Sequence, residues 1–358
     1  MTINWLLVFI PLTIVLEHIT PEKALWIFLS SGLAIMPLAA WMGKATEQLS
    51  ERTGEGIGGL LNATFGNAAE LIIALAALRG GLHEVVKASL AGSIVGNILL
   101  VLGASMLAGG TSRSEQHYNA AGARSQATML TLAAIALILP AAYRAAAGEM
   151  GAAALGDISV WMSLILLAVY AANLIFSLVT HRELFAGSAH EGGHESGHAS
   201  WSVGRAMLVL GLATAAIAWM SEILVGALEP ATTTLGLNDV FVGVFVVAIL
   251  GNAAEHSTAV VAAMKDRMDL SLSIAIGSSV QVALFVAPLL VLISYAIGPR
   301  PMDLAFSGGL VLTIILAVWI TGQVAGDGRS DWLRGVQLLA VYLILALVFL
   351  FGPQPATR

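Results

Sequence analysis

Two identical five-residue segments carry the side chains in this sequence that are best suited to binding a cation. The letters GNAAE occur at residues 66–70 and again at residues 251–255. In each segment an Asn and a Glu lie three residues apart, so on a helix both side chains point to the same face. Carboxylate and amide oxygens are the hard donors that Ca2+ prefers, and a carboxylate also binds a proton. The spacing therefore predicts a site where a divalent cation and protons replace each other.

Further oxygen donors follow each GNAAE segment. Ser93 and Ser278 each come after a Gly, and Gln281 lies one turn beyond Ser278. The complete predicted metal-ligand set is two carboxylates, three amides and two hydroxyls, from Glu70, Glu255, Asn67, Asn252, Gln281, Ser93 and Ser278. Ca2+ accepts about six to eight oxygen ligands with tolerant geometry, whereas Mg2+ requires a tight octahedron. The sequence has no Cys and at most one His near this set, which argues against a dedicated zinc or copper site.

The two glutamates also supply a mechanism. Together Glu70 and Glu255 balance the charge of one divalent cation, and the same groups can take up two protons instead. Burial and mutual repulsion favour their protonated forms, and a bound Ca2+ expels the protons. Ca2+ and H+ then compete for the same oxygen atoms, which is the thermodynamic basis of an antiporter.

Two polar residues beside this set break the likeness between the segments. His256 follows Glu255 where the first segment has Leu71, and it either relays protons and orients Glu255 or only bonds to a neighbouring helix. Asn97 lies one turn beyond Ser93, and it either donates to the site or bridges helices. We predict His256 to contribute to proton coupling and Asn97 to be a secondary site residue.

Two further glutamates lie near the ends of predicted helices. Glu47 follows a Thr and Glu222 follows a Ser. They either form acidic vestibules that gather cations or are ordinary solvated charges at the membrane interface.

The elements that position these residues are predicted to be membrane helices. Apolar residues make up 58% of the 358 residues and charged residues only 11%, against about 25% charged residues in a typical soluble domain. The net charge of −6 and the absence of a basic block give no indication of nucleic-acid binding. The composition therefore predicts an all-α membrane protein whose partner is the lipid bilayer.

About 20 apolar residues cross a bilayer core, and charges and turn residues separate such stretches. On that basis we predict eleven transmembrane helices, at residues 4–19, 24–43, 57–79, 84–108, 123–145, 157–180, 203–228, 237–264, 269–297, 303–325 and 333–352. With this count, ten of the 16 Lys and Arg residues fall on one side. The positive-inside rule then places the N-terminus and the 181–202 loop in the cytoplasm, with the protein in the inner (plasma) membrane.

The sequence also repeats itself. At the same shift of 185 residues that relates the GNAAE segments, Gly92-Ser93 falls on Gly277-Ser278. We therefore predict an N-terminal helix at 1–22, a first five-helix repeat at 23–180, a His/Gly-rich loop at 181–202 and a second five-helix repeat at 203–358. An odd number of crossings inverts the second repeat, as in many alternating-access transporters with a midplane site.

Each GNAAE segment lies well inside a predicted helix. A charge at the bilayer centre costs roughly 2.5–3.5 kcal/mol, so such a residue is functional by default. The alanines allow close helix approach. Gly66 and Gly251 are expected to loosen their helices and free carbonyl oxygens.

The 181–202 loop contains a different kind of motif. Residues 190–194 and 194–198 both match the H-E-x-x-H pattern of zinc proteases. That pattern requires a stable helix, and the glycines here oppose one. A solvated linker is favoured over a pH-sensing or weakly metal-binding tract, and both are favoured over a protease.

These residues resemble the Ca2+/cation antiporter superfamily, and specifically its cation/proton exchanger (CAX) family. The resemblance includes GKATEQLSERTGEGIGGLLNATFGNAAELI, the 92–103 stretch GSIVGNILLVLG, and GNAAEH followed by GSSVQ. It implies one lone helix plus two inverted five-helix repeats, with Ca2+ and H+ alternately bound by Glu70 and Glu255. It also implies that Asn67, Asn252, Ser93, Ser278 and Gln281 line the site. Family members often carry an acidic helix in the central loop, where this chain has only Glu183, Glu191 and Glu195. Some members form trimers, so a homo-oligomer is a further expectation.

The leading hypothesis is thus a secondary Ca2+/H+ antiporter that exports Ca2+, with no cofactor and no enzymatic activity. The nearest alternative is the same fold with another specificity, such as Mn2+/H+, Na+/H+ or Na+/Ca2+ exchange. A protease built on the loop motif is the alternative from another class. A channel is disfavoured because a tight two-carboxylate site suits exchange better than fast conduction.

Overall fold

A computed structural model describes residues 3–181 and 201–352 of the chain. Over these residues the chain is almost entirely helical, because a backbone in lipid must satisfy its own hydrogen bonds. The helices are α1 (Ile3–Ile19), α2 (Ala24–Phe65), α3 (Ala68–Arg79), α4 (His83–Gly110), α5 (Ala120–Ala147), α6 (152–180), α7 (Val203–Leu235), α8 (Asp239–Met264), α9 (Met268–Ser294), α10 (Gly308–Ala325) and α11 (Trp332–Leu350). Two short strands, β1 (Gln116–His117) and β2 (Arg329–Ser330), pair antiparallel with Gln116 opposite Ser330.

Several helices contain irregular turns. α1 begins with the 3-10 turn Ile3–Val8, and Gly148–Gly151 forms another before α6. Segments with the wider π-helical hydrogen bonding are Gly96–Val101 in α4, Phe176–Thr180 in α6, Val242–Val247 in α8 and Val282–Val286 in α9. The segments in α4 and α9 lie at matching positions under the 185-residue shift. Helical irregularity of this kind is frequent at functional sites.

Nine of the helices in residues 3–181 and 201–352 are long and apolar enough to cross a membrane. The predicted spans 4–19 and 57–79 are not among them. The first corresponds to α1, which is shorter than the other nine. The second corresponds partly to α3, whose 12 residues extend only about 18 Å.

The predicted boundary between the spans 24–43 and 57–79 is wrong in its position. The apolar helix continues to Thr53 and so includes Glu47, because the intervening residues are good helix formers. The chain then bends, since Ser50 Oγ donates to the carbonyl of Gly58 at 2.9 Å, two residues that a straight helix would hold about 12 Å apart.

The chain folds into two compact units. In the described residues the first comprises 3–89, 201–254 and 348–352, and the second comprises 90–181 and 255–347. The boundaries fall inside α4, α8 and α11. Each unit takes helices from both halves of the sequence, so the predicted repeats at 23–180 and 203–358 are not the compact units.

The first unit is built on α2, which packs along α7, with α1 and α3 added at the sides. Its core consists mainly of Ile, Leu, Met and Ala side chains, and the alanines among them allow close helix packing. Fully buried members include Ile35 and Met42 of α2 and Ile217, Met220 and Leu224 of α7. Gly32 makes room for Leu250, because a Cβ on that glycine would lie 2.5 Å from a Leu250 methyl group.

The second unit contains the most enclosed helices. Of an 18-residue apolar stretch in each helix, 67% is buried in α9 and 17% in α6. In α4, most of which belongs to this unit, the buried share is 83%. The end of α4 meets α11 without intervening side chains. A Cβ on Gly335 would lie 2.4 Å from the backbone nitrogen of Leu107 and 2.6 Å from the carbonyl oxygen of Gly103. Small residues therefore set the separation of these two helices.

Candidate functional site

Glu70 lies in the first turn of a short helix. The chain leaves helical geometry at Gly66 and Asn67, and α3 begins at Ala68. The partial positive charge at a helix N-terminus stabilises a carboxylate in the first turn. Glu70 is 9% exposed and Asn67 is 2% exposed, and the Asn67 side chain does not cap α3. The expectation that Gly66 interrupts its helix is thus confirmed.

The amide that binds Glu70 comes from the second GNAAE segment. Asn252 Nδ2 donates to Glu70 Oε1, and it also donates to the carbonyl of Ala248 at 2.9 Å. Asn252 is 2% exposed, so this carboxylate–amide contact is shielded from water. The sequence predicted an Asn and a Glu on one face of each helix, whereas this bond joins the two segments to each other.

Gly251 has a different role from the one expected. It lies inside the continuous α-helix Ala248–Met264, so the prediction that it loosens the helix is wrong. A Cβ at this position would lie 3.3 Å from Glu70 Cγ. The glycine instead lets the Glu70 side chain approach the α8 backbone.

In the second unit, a buried amide joins three helices. Asn97 is 2% exposed and lies in the π-helical part of α4. Its Nδ2 donates to Ser278 Oγ on α9 at 3.1 Å, and its Oδ1 lies 3.0 Å from His256 Nε2 on α8. Since an amide oxygen only accepts, this contact is a hydrogen bond when His256 carries a proton on Nε2. For both His256 and Asn97, the sequence analysis gave a hydrogen bond to a neighbouring helix as one of two alternatives, and the structure shows such bonds.

The π-helical turn of α4 and the turn before it receive further hydrogen bonds that the sequence did not predict. Ser279 Oγ donates to the carbonyl of Ile94 at 3.3 Å and to that of Ala275 at 3.0 Å. Thr321 Oγ1 of α10 approaches the carbonyl of Ile98 at 3.5 Å. Ser279 and Ile94 are equivalent under the 185-residue shift, which is the signal that could have identified the first of these contacts.

The remaining predicted ligands lie beside these contacts in the chain. Ser93 is buried one turn before Asn97, and Gln281 is half-buried where α9 enters its π-helical segment. Glu255 is half-buried, and its Oε2 is shielded from solvent. Within residues 3–181 and 201–352, no three His, Asp or Glu side chains cluster as a ready metal cage.

The two outer glutamates differ in their surroundings. Glu222 accepts a hydrogen bond from Arg79 Nη1 at 2.9 Å, with both side chains at least half exposed. Because α7 continues to Leu235, Glu222 lies further from the end of its helix than the predicted span 203–228 implied. Glu47 is exposed on α2. The His-rich motif at 190–198 lies outside the described residues.

Comparisons with known proteins identify the family. A family model described as sodium/calcium exchanger protein matches residues 23–179 and 205–351. The Ca2+/H+ antiporter of Synechocystis sp. is 44% identical over 97% of this chain and 96% of its own length. The Ca2+/H+ antiporter ChaA of Bacillus subtilis is 42% identical over 88% of this chain and 90% of its own.

A solved structure of native YfkE superposes with a TM-score of 0.84 at 36% identity, covering 97% of this chain and 99% of that one. YfkE is itself named a Ca2+/H+ antiporter. Matches of this length and identity, in sequence and in structure, establish the family. The chain therefore belongs to the sodium/calcium exchanger protein family and, within it, to the cation/proton exchangers.

Proposed function

We propose that this protein is a secondary antiporter that exports Ca2+ in exchange for H+ by alternating access. The observation that supports this proposal most directly is the buried Glu70 carboxylate, which accepts a hydrogen bond from Asn252 of the second GNAAE segment. The relatives named Ca2+/H+ antiporters, matched over nearly the whole chain, support the same activity.

Glu70 and Glu255 are the groups that we propose to hold Ca2+ or protons in turn. In this structure Asn252 presents its NH2 group to Glu70, and an NH2 group cannot bind a cation. The oxygen of the same amide can, so Ca2+ binding at Glu70 would replace the N–H contact. Asn67, Ser93, Ser278 and Gln281 are the further proposed oxygen donors, and His256 is the proposed proton-coupling residue.

The membrane arrangement is also part of the proposal. We propose eleven spans, with one N-terminal helix and two inverted five-helix repeats, in the inner membrane. This count puts the N-terminus and the 181–202 loop on the same side, which the Lys and Arg distribution indicates is the cytoplasm. The contact between the repeat-equivalent residues Ser279 and Ile94 supports a two-fold relation, since equivalent positions meet only near a symmetry axis. The matching π-helical turns of α4 and α9 support it as well. Assembly into a homo-oligomer remains a proposal from the family resemblance.

Everted membrane vesicles test the activity and its specificity. Ca2+ uptake should follow an imposed pH gradient without Na+, and it should stop when a protonophore collapses that gradient. Uptake that needs a Na+ gradient and ignores the pH gradient would contradict the proposal. Mn2+ and Na+ offered in place of Ca2+ test the alternative specificities of the same fold.

The proposed ligand role of Asn252 predicts a loss of affinity. In Asn252→Leu the side chain keeps its approximate volume but has no amide oxygen to offer Ca2+. Removal of a group that only supports a metal ligand already weakens metal binding about 10- to 100-fold, so the Ca2+ KM should rise about tenfold or more. Initial rates of Ca2+ uptake against Ca2+ concentration measure this. An unchanged KM would show that Asn252 plays no part in binding.

The Arg79–Glu222 pair predicts the opposite outcome for an outer glutamate. An exposed ion pair contributes about 0–1 kcal/mol, and the partner already neutralises this carboxylate. Glu222→Gln should therefore leave the Ca2+ KM within about fivefold of the wild type. A larger rise that disappears at high ionic strength, where salt screens exposed charges, would instead assign Glu222 to a cation-gathering vestibule.

A further inference from the structure

The two helices that carry the GNAAE glutamates end in the same backbone motif at equivalent positions. At the end of α3, Leu82 N donates to Ala77 O at 2.9 Å and Gly81 N to Leu78 O at 3.0 Å. At the end of α8, Arg267 N donates to Ala262 O at 3.0 Å and Asp266 N to Ala263 O at 3.1 Å. Both are Schellman motifs, which need a residue in the left-handed conformation.

The residue in that conformation differs between the halves. Gly81 has φ +77°, and its equivalent Asp266 has φ +62°, the sole non-glycine residue with positive φ in the described ranges 3–181 and 201–352. Glycine adopts this conformation without steric strain, whereas Asp adopts it at a steric cost that is smaller than for most other side chains. A strained residue persists where its side chain contributes something that glycine cannot.

The Asp266 side chain is held by the segment before α5. Gln116 Nε2 donates to Asp266 Oδ1 and to the carbonyl of Ala263, both at 2.9 Å. Arg113 Nε lies 3.4 Å from the same carboxylate oxygen. Gln116 is 1% exposed, and its amide fits only because Gly109 has no Cβ, which would lie 2.1 Å from Gln116 Oε1. One buried amide thus binds both the last turn of α8 and the strained residue behind it.

The same segment holds the beginning of α9. The backbone N–H of Asn119 donates to Asp269 Oδ1 at 2.6 Å. The connection from α8 to α9 is therefore fixed at two points by residues 116–119. These two helices carry Glu255 and Ser278, which are proposed to bind the cation.

We propose that Asp266 is a positioning residue that fixes, through Gln116, the C-terminal end of α8 and so the placement of Glu255. The proposal rests on the proposed exchange activity at Glu255. On this proposal, the left-handed backbone at Asp266 is retained because its side chain helps to keep Glu255 in position. Small displacements of a ligand change binding strongly in a site of this kind.

The test compares three variants with the wild type in reconstituted vesicles. Asp266→Gly removes the carboxylate and also the backbone strain. Asp266→Asn tolerates the left-handed conformation and keeps an oxygen for Gln116. Asp327→Gly removes an exposed carboxylate that pairs with Arg334, outside α8, α9 and the 116–119 segment, and is the matched control. Ca2+ KM, maximal exchange rate and thermal unfolding temperature are measured for each.

Asp266→Gly should raise the Ca2+ KM or lower the maximal rate at least about twofold, because one hydrogen bond and one ion pair at the end of α8 are both lost. Its unfolding temperature should not fall, because the strain is gone, and Asp266→Asn should stay near the wild type. Unaltered exchange by Asp266→Gly, or loss only in proportion to lowered thermal stability, would overturn the proposal. Failure of the proposed function is distinguishable, since the wild type itself would then show no Ca2+/H+ exchange.

Discussion

Glu70→Gln and Glu255→Gln should each abolish coupled Ca2+/H+ exchange. Glutamine has nearly the same shape as glutamate, but it carries no charge and takes up no proton. Each substitution therefore removes cation binding and proton binding together. In the proposed site the opposite charges are the carboxylate and the bound Ca2+. Removing one partner of a buried ion pair costs about 3–5 kcal/mol, so the exchange rate at a fixed Ca2+ concentration should fall at least about a hundredfold.

The Glu70→Gln variant should fold normally, which makes the result interpretable. The glutamine side chain would keep an oxygen that accepts the hydrogen bond from Asn252 Nδ2, so the local packing is preserved. Thermal unfolding in detergent should therefore match the wild type. Glu115→Gln, which removes an exposed carboxylate paired with Arg329 at 3.5 Å, is the matched control and should retain full exchange. Exchange above about a tenth of the wild-type rate in either variant would contradict the assignment of these glutamates.

Gly335→Ala should lower the stability of the second unit. The new Cβ would lie 2.4 Å from Leu107 N and 2.6 Å from Gly103 O, and these backbone atoms cannot rotate away. α4 and α11 would have to separate along their contact. Overpacking of this kind costs about 1–3 kcal/mol and sometimes more, and the unfolding temperature in detergent should fall accordingly.

Gly322→Ala is the control for that experiment. A Cβ on Gly322, within α10, has nothing within 4 Å. Replacing a helical glycine with alanine in open space stabilises a helix by about 0.5–1 kcal/mol. The two substitutions should therefore shift the unfolding temperature in opposite directions. An unchanged unfolding temperature for Gly335→Ala would show that the α4–α11 contact is less tight than described.

Much of the helical plan could be predicted from the sequence, because length and polarity determine where a chain can cross a bilayer. Apart from the longer end of α7, the helices α4–α11 begin and end within a few residues of the predicted spans. The region from Glu47 to Asn67 could not be predicted as well. There the helix continues into polar residues and then bends by a hydrogen bond from Ser50, and residue polarity alone carries no signal for either feature.

The contacts of the candidate site were harder to predict than the residues proposed for it. Identical GNAAE segments identified Glu70 and Asn252, and the structure joins them. The joining bond was not foreseen, because helix periodicity relates residues within one helix and gives no information on which helices meet. Asn97 was noted only as a break in the repeat, whereas its buried amide connects α4, α8 and α9.

The contacts that Asp266 makes at the end of α8 could not be predicted from the sequence for a related reason. An Asp in a short loop is ordinary, and only its backbone conformation distinguishes it from the equivalent Gly81. Aligning the two halves would have paired these residues, which shows how an internal repeat can direct attention to positions where the halves differ.

Simultaneous recording of Ca2+ influx and H+ efflux in vesicles that hold the purified protein tests the central claim most directly. With wild type, addition of Ca2+ should release protons in step with Ca2+ entry, without Na+. With Glu70→Gln or Glu255→Gln, both signals should be absent. Ca2+ entry without proton release in the wild type, or coupled exchange that persists in either variant, would contradict the account.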